Sequence, residues 1–227
     1  MITEKKIKGA DKSPKKAIKK FLYYFPKGFY DHKYMDWERG YKLNAHRAFC
    51  KVLQQENFKR LLQQKNFAFI AQELIRIESR TNLLFSFEKM ALRDALKDEN
   101  GAKNFASGLF QYLYSKDPLK DRFENFAQVV SELPRKQTRV FTWPVVTVFG
   151  FIGAPKVHMY LKPTVTKRAA EKYGFPFLYR SAPNWETYQS LLRFAGQIKK
   201  EAKELKPKDH IDLQSFIWVL GSEEYPD

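Results

Sequence analysis

Apolar side chains recur at steps of three and four residues through most of this chain, and that rhythm constrains its fold more than any other feature. Tyr34, Trp37, Tyr41, Ala45, Ala48 and Val52 are spaced 3, 4, 4, 3 and 4, so a helix would gather them on one face. Phe67, Ile70, Leu74 and Ile77 make a second stripe. Phe87, Met90, Ala91 and Ala95 make a third, behind Ser86 as its cap. Phe105, Leu109, Tyr112 and Leu113 follow, then Leu119, Phe123, Phe126, Val130 and Leu133. Ser13-Pro14 reads as a helix start and Pro26-Lys27-Gly28 as a turn. Asn184 caps the longest stripe, from Trp185 through Tyr188, Leu191, Ala195 and Ile198 to Leu205, and Pro207 stops it. Asp209 to Leu220 is a final short, very apolar helix.

Elsewhere the rhythm changes. Val140 to Ile152 is apolar almost throughout and is buried in either conformation. Thr142 before Trp143-Pro144 favours a helix, Val145 to Val148 a strand, and the helix is preferred. Val157–Leu161 and Phe175–Arg180 are aromatic or β-branched and predict two strands, separated by a helix from Pro163 to Tyr173 that Gly174 closes. The expected fold is mainly α, a single helical domain over residues 14–227 with a small two-stranded β element in its C-terminal third. Residues 1–13 read as a flexible basic tail, and the change of pattern near 134–138 is where a subdomain boundary would fall.

The chain has 227 residues, and its 20 Phe, 12 Tyr and 4 Trp can fill a sizeable core. Its single cysteine, Cys50, excludes an intramolecular disulfide and a multi-cysteine zinc site. With no signal peptide in view, this points to a reducing, cytoplasmic setting. The longest apolar stretch, Val140 to Ala154, is broken by Pro144 and Gly150 and is too short to span a bilayer, so no membrane partner is expected.

The net charge of +16 is unevenly placed. Residues 1–22 carry +6, residues 23–115 +5 and residues 116–180 +7, whereas the last 47 residues carry −2. Clustered Lys and Arg displace counterions from a polyanion, so nucleic acid, DNA or RNA, is the expected partner. Two patches are nominated for phosphate contact. One is the tail from Lys5, with Lys15, Lys16, Lys19 and Lys20. The other is Lys162, Lys167, Arg168 and Lys172, at the start of a helix and along one side of it, joined by Arg180 from the second strand. The rings Phe21, Tyr23, Tyr24, Phe25, Phe29 and Tyr30, interleaved with lysines, are read as core packing in preference to base stacking.

No catalytic residue, cofactor or metal ligand is nominated. His32, His46, His158 and His210 are scattered without metal-site spacing. Glu73, Glu78, Glu88 and Asp94 each have a basic neighbour in sequence and read as helical ion pairs. Asp209 reads as a helix cap, with Asp212 answering it across the first turn. Phosphate-loop, nucleophile-elbow and CxxC motifs are missing from the sequence.

The segments FPKGFYDHKYMDWERGYK (25–42), PNWETYQSLLRFA (183–195) and DHIDLQSFIW (209–218) resemble an uncharacterised bacterial protein family of about this length. The resemblance extends over nearly the whole chain and implies no residue roles. The IDLQSFIW piece is also similar to a short segment of some restriction-associated bacterial ATPases, which points toward DNA-linked biology, although this chain has no ATPase loop. The expected function is therefore non-enzymatic nucleic-acid binding, or an accessory role, through basic surfaces. One alternative is an enzyme whose pocket is assembled from His158, Glu73 or the 209–214 segment. The other is a protein–protein adaptor with an acidic partner.

Overall fold

The computed structural model describes residues 13–136 and 138–227. The basic tail expected over 1–13 lies outside the described residues except for Ser13. Helix α1 (Pro14–Tyr24) starts where the Ser13 hydroxyl accepts from the Lys15 N–H and Pro14 takes the first helical position. A 3₁₀ turn (Gly28–Tyr30) leads to α2 (His32–Tyr34), a π-helical turn (Met35–Arg39) and α3 (Gly40–Leu53). Then come α4 (Gln55–Gln63), α5 (Phe67–Glu78), α6 (Ser86–Ala95), α7 (Glu99–Tyr114) and α8 (Leu119–Ser131). The C-terminal half adds α9 (Trp143–Gly153), α10 (Pro163–Tyr173), α11 (Trp185–Glu201), a 3₁₀ turn (Lys203–Leu205) and α12 (His210–Gly221). Among the described residues no helix is long and apolar enough to cross a membrane.

One hydrophobic cluster runs from Ala17 to Tyr225 and includes residues on both sides of segment 134–138. Helix α7 lies between α5 and α8, α9 is buried at every residue from Trp143 to Ile152, and α10 packs along α12 with α1 against both. The Thr142 side chain caps α9, so the apolar segment is a helix. Helix α12 ends hard against α10: a Cβ at Gly221 would stand 2.1 Å from the Val165 carbonyl oxygen, which only glycine avoids.

The apolar stripe read over 34–52 is turned by the π-helical turn. The Gly40 N–H bonds to the Met35 carbonyl, an i→i+5 step that inserts one residue into the helical count. Trp37 consequently faces solvent, while Glu38, Arg39 and Lys42 are buried and Phe49 and Leu53 take the core positions. A Cβ at Gly40 would lie 2.7 Å from that same Met35 oxygen, so the turn requires glycine.

The expected two-stranded β element does not form: no residue of 157–161 or 175–180 is in a strand, and none is present among the described residues. Helix hydroxyls take the N–H groups that a ladder would need. Thr147 on α9 accepts from the Leu161 N–H at 3.1 Å, and Tyr188 from the Met159 N–H at 3.1 Å. Thr187 and Ser190, adjacent on one face of α11, accept from the Arg180 and Leu178 N–H groups, each at 3.0 Å. The two segments are tied to helices instead of to each other.

Candidate functional site: a basic groove lined by rings

Helices α6, α9 and α10 begin at one surface groove of about 810 Å³, closed on its far side by the end of α12 and the segment after it. Two of these helix ends are already capped. Glu88 accepts from the Phe85 N–H at 3.0 Å, and Thr142 caps α9 while its hydroxyl donates to Glu88 at 2.9 Å. The start of α10 has no side-chain cap and no acidic residue in its first turn, so its positive end is directed into the groove. Just beneath lies a space of about 10 Å³ lined by Tyr160, Lys162, Gln214 and Trp218, among others. The Gln214 Oε1 atom there is buried and has no hydrogen-bond partner.

Lys162 is the centre of the site. Its ammonium lies 3.8 Å from the centroid of the Phe85 ring and 5.5 Å from that of Trp218, and it donates to the Leu83 carbonyl at 3.3 Å. Burial lowers its pKa, against the partial support of Glu88 and Glu224. Phe85 and Phe87 stack on each other, 5.5 Å apart and 15° from parallel, yet are 50% and 49% exposed. Further cations sit over rings at the groove or its edge: Lys167 over Tyr179 at 4.8 Å and Arg139 over Phe141 at 5.9 Å.

The structure places the nominated residues as follows. Lys162 and Arg168 line the groove, and Lys167 joins it through Tyr179. Arg180 is exposed between Tyr179 and Ser181, both groove residues, and its backbone carbonyl accepts from the Trp143 indole at 2.9 Å. Lys15, Lys16 and Lys19 are exposed on α1. Lys20 and Lys172, from the two separate patches, meet at opposite oxygens of the Asp227 carboxylate, at 2.7 and 2.6 Å. The tail and helix patches thus adjoin. Sequence reasoning missed Phe85, Phe87, Arg139, Tyr179 and Trp218. Phe87, expected on the apolar stripe behind Ser86, is instead 49% exposed, and Phe85, immediately before the helix, is 50% exposed.

A second charged cluster lies inside the molecule. Arg39 grips Asp209 with both terminal nitrogens, at 2.8 and 2.7 Å, and reaches Asp212 at 2.6 Å. Asp212 also accepts from the Tyr34 hydroxyl at 2.5 Å and from the Lys208 N–H at 2.7 Å. One turn along, Lys42 donates to Glu38 at 2.9 Å and Ser215 at 2.8 Å, and Tyr225 donates to Glu38 at 2.7 Å. Burial alone would raise the Asp209 pKa, but Arg39 outweighs it and holds the carboxyl below its ordinary value. Lys42 is likewise held above its usual range, with Tyr41 and Glu38 overcoming burial. Asp209 also caps α12 through the Ile211 and Asp212 N–H groups, as its sequence position implied. The network docks α12 onto the π-helical turn; its polar atoms are committed to the fold.

Among the groups named for an enzymatic pocket, His158 meets the 209–214 segment, its carbonyl bonded to the His210 ring at 2.9 Å, and its own Nε2 atom is buried without a hydrogen-bond partner. Glu73 pairs with Arg76 on α5. His158 packs against the Tyr112 ring with centroids 4.1 Å apart, and burial, helped by Arg122 and His210, depresses its pKa to about 3. Asp94 pairs with Lys97, and Glu78 lies 3.5 Å from Lys89. Among the described residues no group of three His, Cys, Asp or Glu side chains could hold a metal ion. Comparison of the chain with protein-family models, curated proteins and solved structures finds no match.

Proposed function

We propose that this chain binds single-stranded nucleic acid in the groove, without turning it over. The observation that carries the reading is the half-exposed, stacked Phe85–Phe87 pair beside Lys162 at the uncapped start of α10. Bases stack on such rings whatever their sequence, at about 1–3 kcal/mol each. Phosphates pair with Lys162, Lys167, Arg168 and Arg139 and with the positive helix end. Lys162 lies in a desolvated position, so an arriving phosphate supplies charge that its neighbours only partly provide. A duplex buries its base faces and could not use the ring pair, which favours single strands.

Fluorescence anisotropy with labelled oligo(dT) tests this. Affinity should fall log-linearly with salt, at about 0.7 per phosphate neutralised on a single strand. The double variant F85A/F87A should weaken binding at least about tenfold while leaving the salt slope unchanged, because rings contribute stacking and not charge. Absence of binding at low salt, or an undiminished affinity in F85A/F87A, would contradict the reading.

A further inference from the structure

The basic face of α10 is already covered by carboxylates of this same chain. Glu223 lies 2.6 Å from Arg168, and Asp227 joins Lys172 to Lys20. Glu224 accepts from the Trp218 indole at 3.2 Å, at the far wall of the groove. Three of the six residues from Ser222 to Asp227 are acidic, at the end of a chain whose net charge is +16. Arg168 and Lys172 are one turn apart on α10, and α1 brings Lys20 alongside, so the cations form a continuous track leading away from Lys162.

We propose that this track extends the phosphate-binding surface of the groove, and that the carboxylates of Glu223 and Asp227 stand in for phosphates and compete with them. The inference rests on the reading of the groove as a single-strand site and adds to it a second stretch of contacts and an internal competitor. The carboxylates are placed for exchange. Glu223 and Asp227 are 84% and 67% exposed, and exposed ion pairs are weak. The backbone that carries them is held independently. Tyr225 is buried with its hydroxyl on Glu38, and the Pro226 carbonyl accepts from Tyr24 at 2.6 Å. Glu223 and Asp227 can therefore swing off their cations while Tyr225 stays in place, so a phosphate chain displaces side chains and not the segment. Buried ion pairs such as Arg39–Asp212 offer no such exchange, because separating them leaves charges stranded away from water.

The test compares two variants of equal net charge. E223Q/E224Q/D227N removes the two competing carboxylates together with that of Glu224 on the groove wall, and E132Q/E186Q/E204Q removes three exposed ones elsewhere. Both are titrated with fluorescein-labelled oligo(dT) over a range of salt. The first should bind about five- to tenfold more tightly than the unmodified protein, with a salt slope steeper by about 0.7 for each phosphate newly engaged. The second should gain less than about twofold and keep the original slope. Equal gains in both variants, or no gain in the first, would overturn the competitor while leaving the groove reading intact. No binding by any of the three proteins would instead remove the groove reading itself. Should the triple variant lose its fold, D227N alone retains the test, because it touches only the exposed carboxylate shared by Lys20 and Lys172. It should bind about twofold more tightly at an unchanged melting temperature, and an unchanged affinity would overturn the inference.

Discussion

Two clusters of charge share this molecule and are put to opposite uses. Around Arg39, two cations and three carboxylates lie in the interior, each bonded on several sides, and join α12 to the π-helical turn. Around Lys162, cations sit over half-exposed rings at an uncapped helix start, and the carboxylates that pair with Arg168 and Lys172 further along α10 are exposed. The residue types are nearly the same. Burial separates them, because a charge taken from water must be fully paired in place, whereas a charge left at the rim can exchange partners.

The comparison is broken most severely at Arg39. The variant R39A strands Asp209 and Asp212 inside the fold and should cost about 3–5 kcal/mol in urea unfolding. Near-native stability in that variant would mean that the buried cluster is not holding α12. Acid sharpens the same contrast. His158 has a folded pKa of about 3, well below its ordinary value, so its neutral form stabilises the fold fully above about pH 6.5. That contribution is lost as pH falls toward 3, at up to about 1.4 kcal/mol per pH unit for one proton. Asp209, held below its normal range by Arg39, adds a loss of the same sign at lower pH, between its ordinary and its folded value. In H158Q the unfolding free energy should be flatter between pH 6.5 and 4 than in the unmodified protein. A profile of unchanged steepness would show that His158 is not the group responsible.

A smaller effect is expected at Gly40. The methyl of G40A would meet the Met35 carbonyl at 2.7 Å, and relieving that contact should cost about 1–3 kcal/mol. The smallest effect on stability belongs to the groove. F85A/F87A removes rings that are half in water and should change the unfolding free energy by less than about 1 kcal/mol, even as it weakens oligonucleotide binding. Large destabilisation there would make the ring pair a packing element and erase the contrast with Arg39.

The caps Ser13, Thr142, Asn184 and Asp209 act where their sequence position implies, whereas Ser86, expected as a cap, is the first helical residue of α6 behind Phe85. The helical rhythm was legible in most segments, but on α6 the expected stripe members Phe87 and Met90 are exposed and only Ala91 and Ala95 are buried. It failed at residues 35–39, because a π-helical turn shifts the face and periodicity counted at 3.6 residues cannot register it. Trp37 was thereby assigned inward, and Arg39 and Lys42 went unnoticed. The segments 157–161 and 175–180 have strand composition, but whether an extended segment finds a ladder or a row of hydroxyls depends on Thr147, Thr187, Ser190 and Tyr188. These lie on helices that sequence pattern alone does not bring into register. The cations of the site were legible because α10 is a regular helix with a proline start. The rings were not, because Phe85, Tyr179 and Trp218 reach the groove from three distant parts of the chain. Nor was the covering of Arg168 and Lys172 by the C-terminal carboxylates, although the reversal of charge at that end was visible.

The claim that the exchangeable charges around Lys162 form the ligand site is tested most directly by oligo(dT) titration of two charge-neutralised proteins. In one, Lys162, Lys167, Arg168 and Lys172 are changed to Gln; in the other, Arg193, Lys199, Lys200 and Lys203. The first should lose at least about tenfold in affinity, and its salt slope should fall by about 0.7 per phosphate contact removed. The second should lose no more than about threefold, and both should unfold within about 1 kcal/mol of the unmodified protein. Equal losses from the two sets would show that only net charge attracts the ligand and that the groove around Lys162 is not a site.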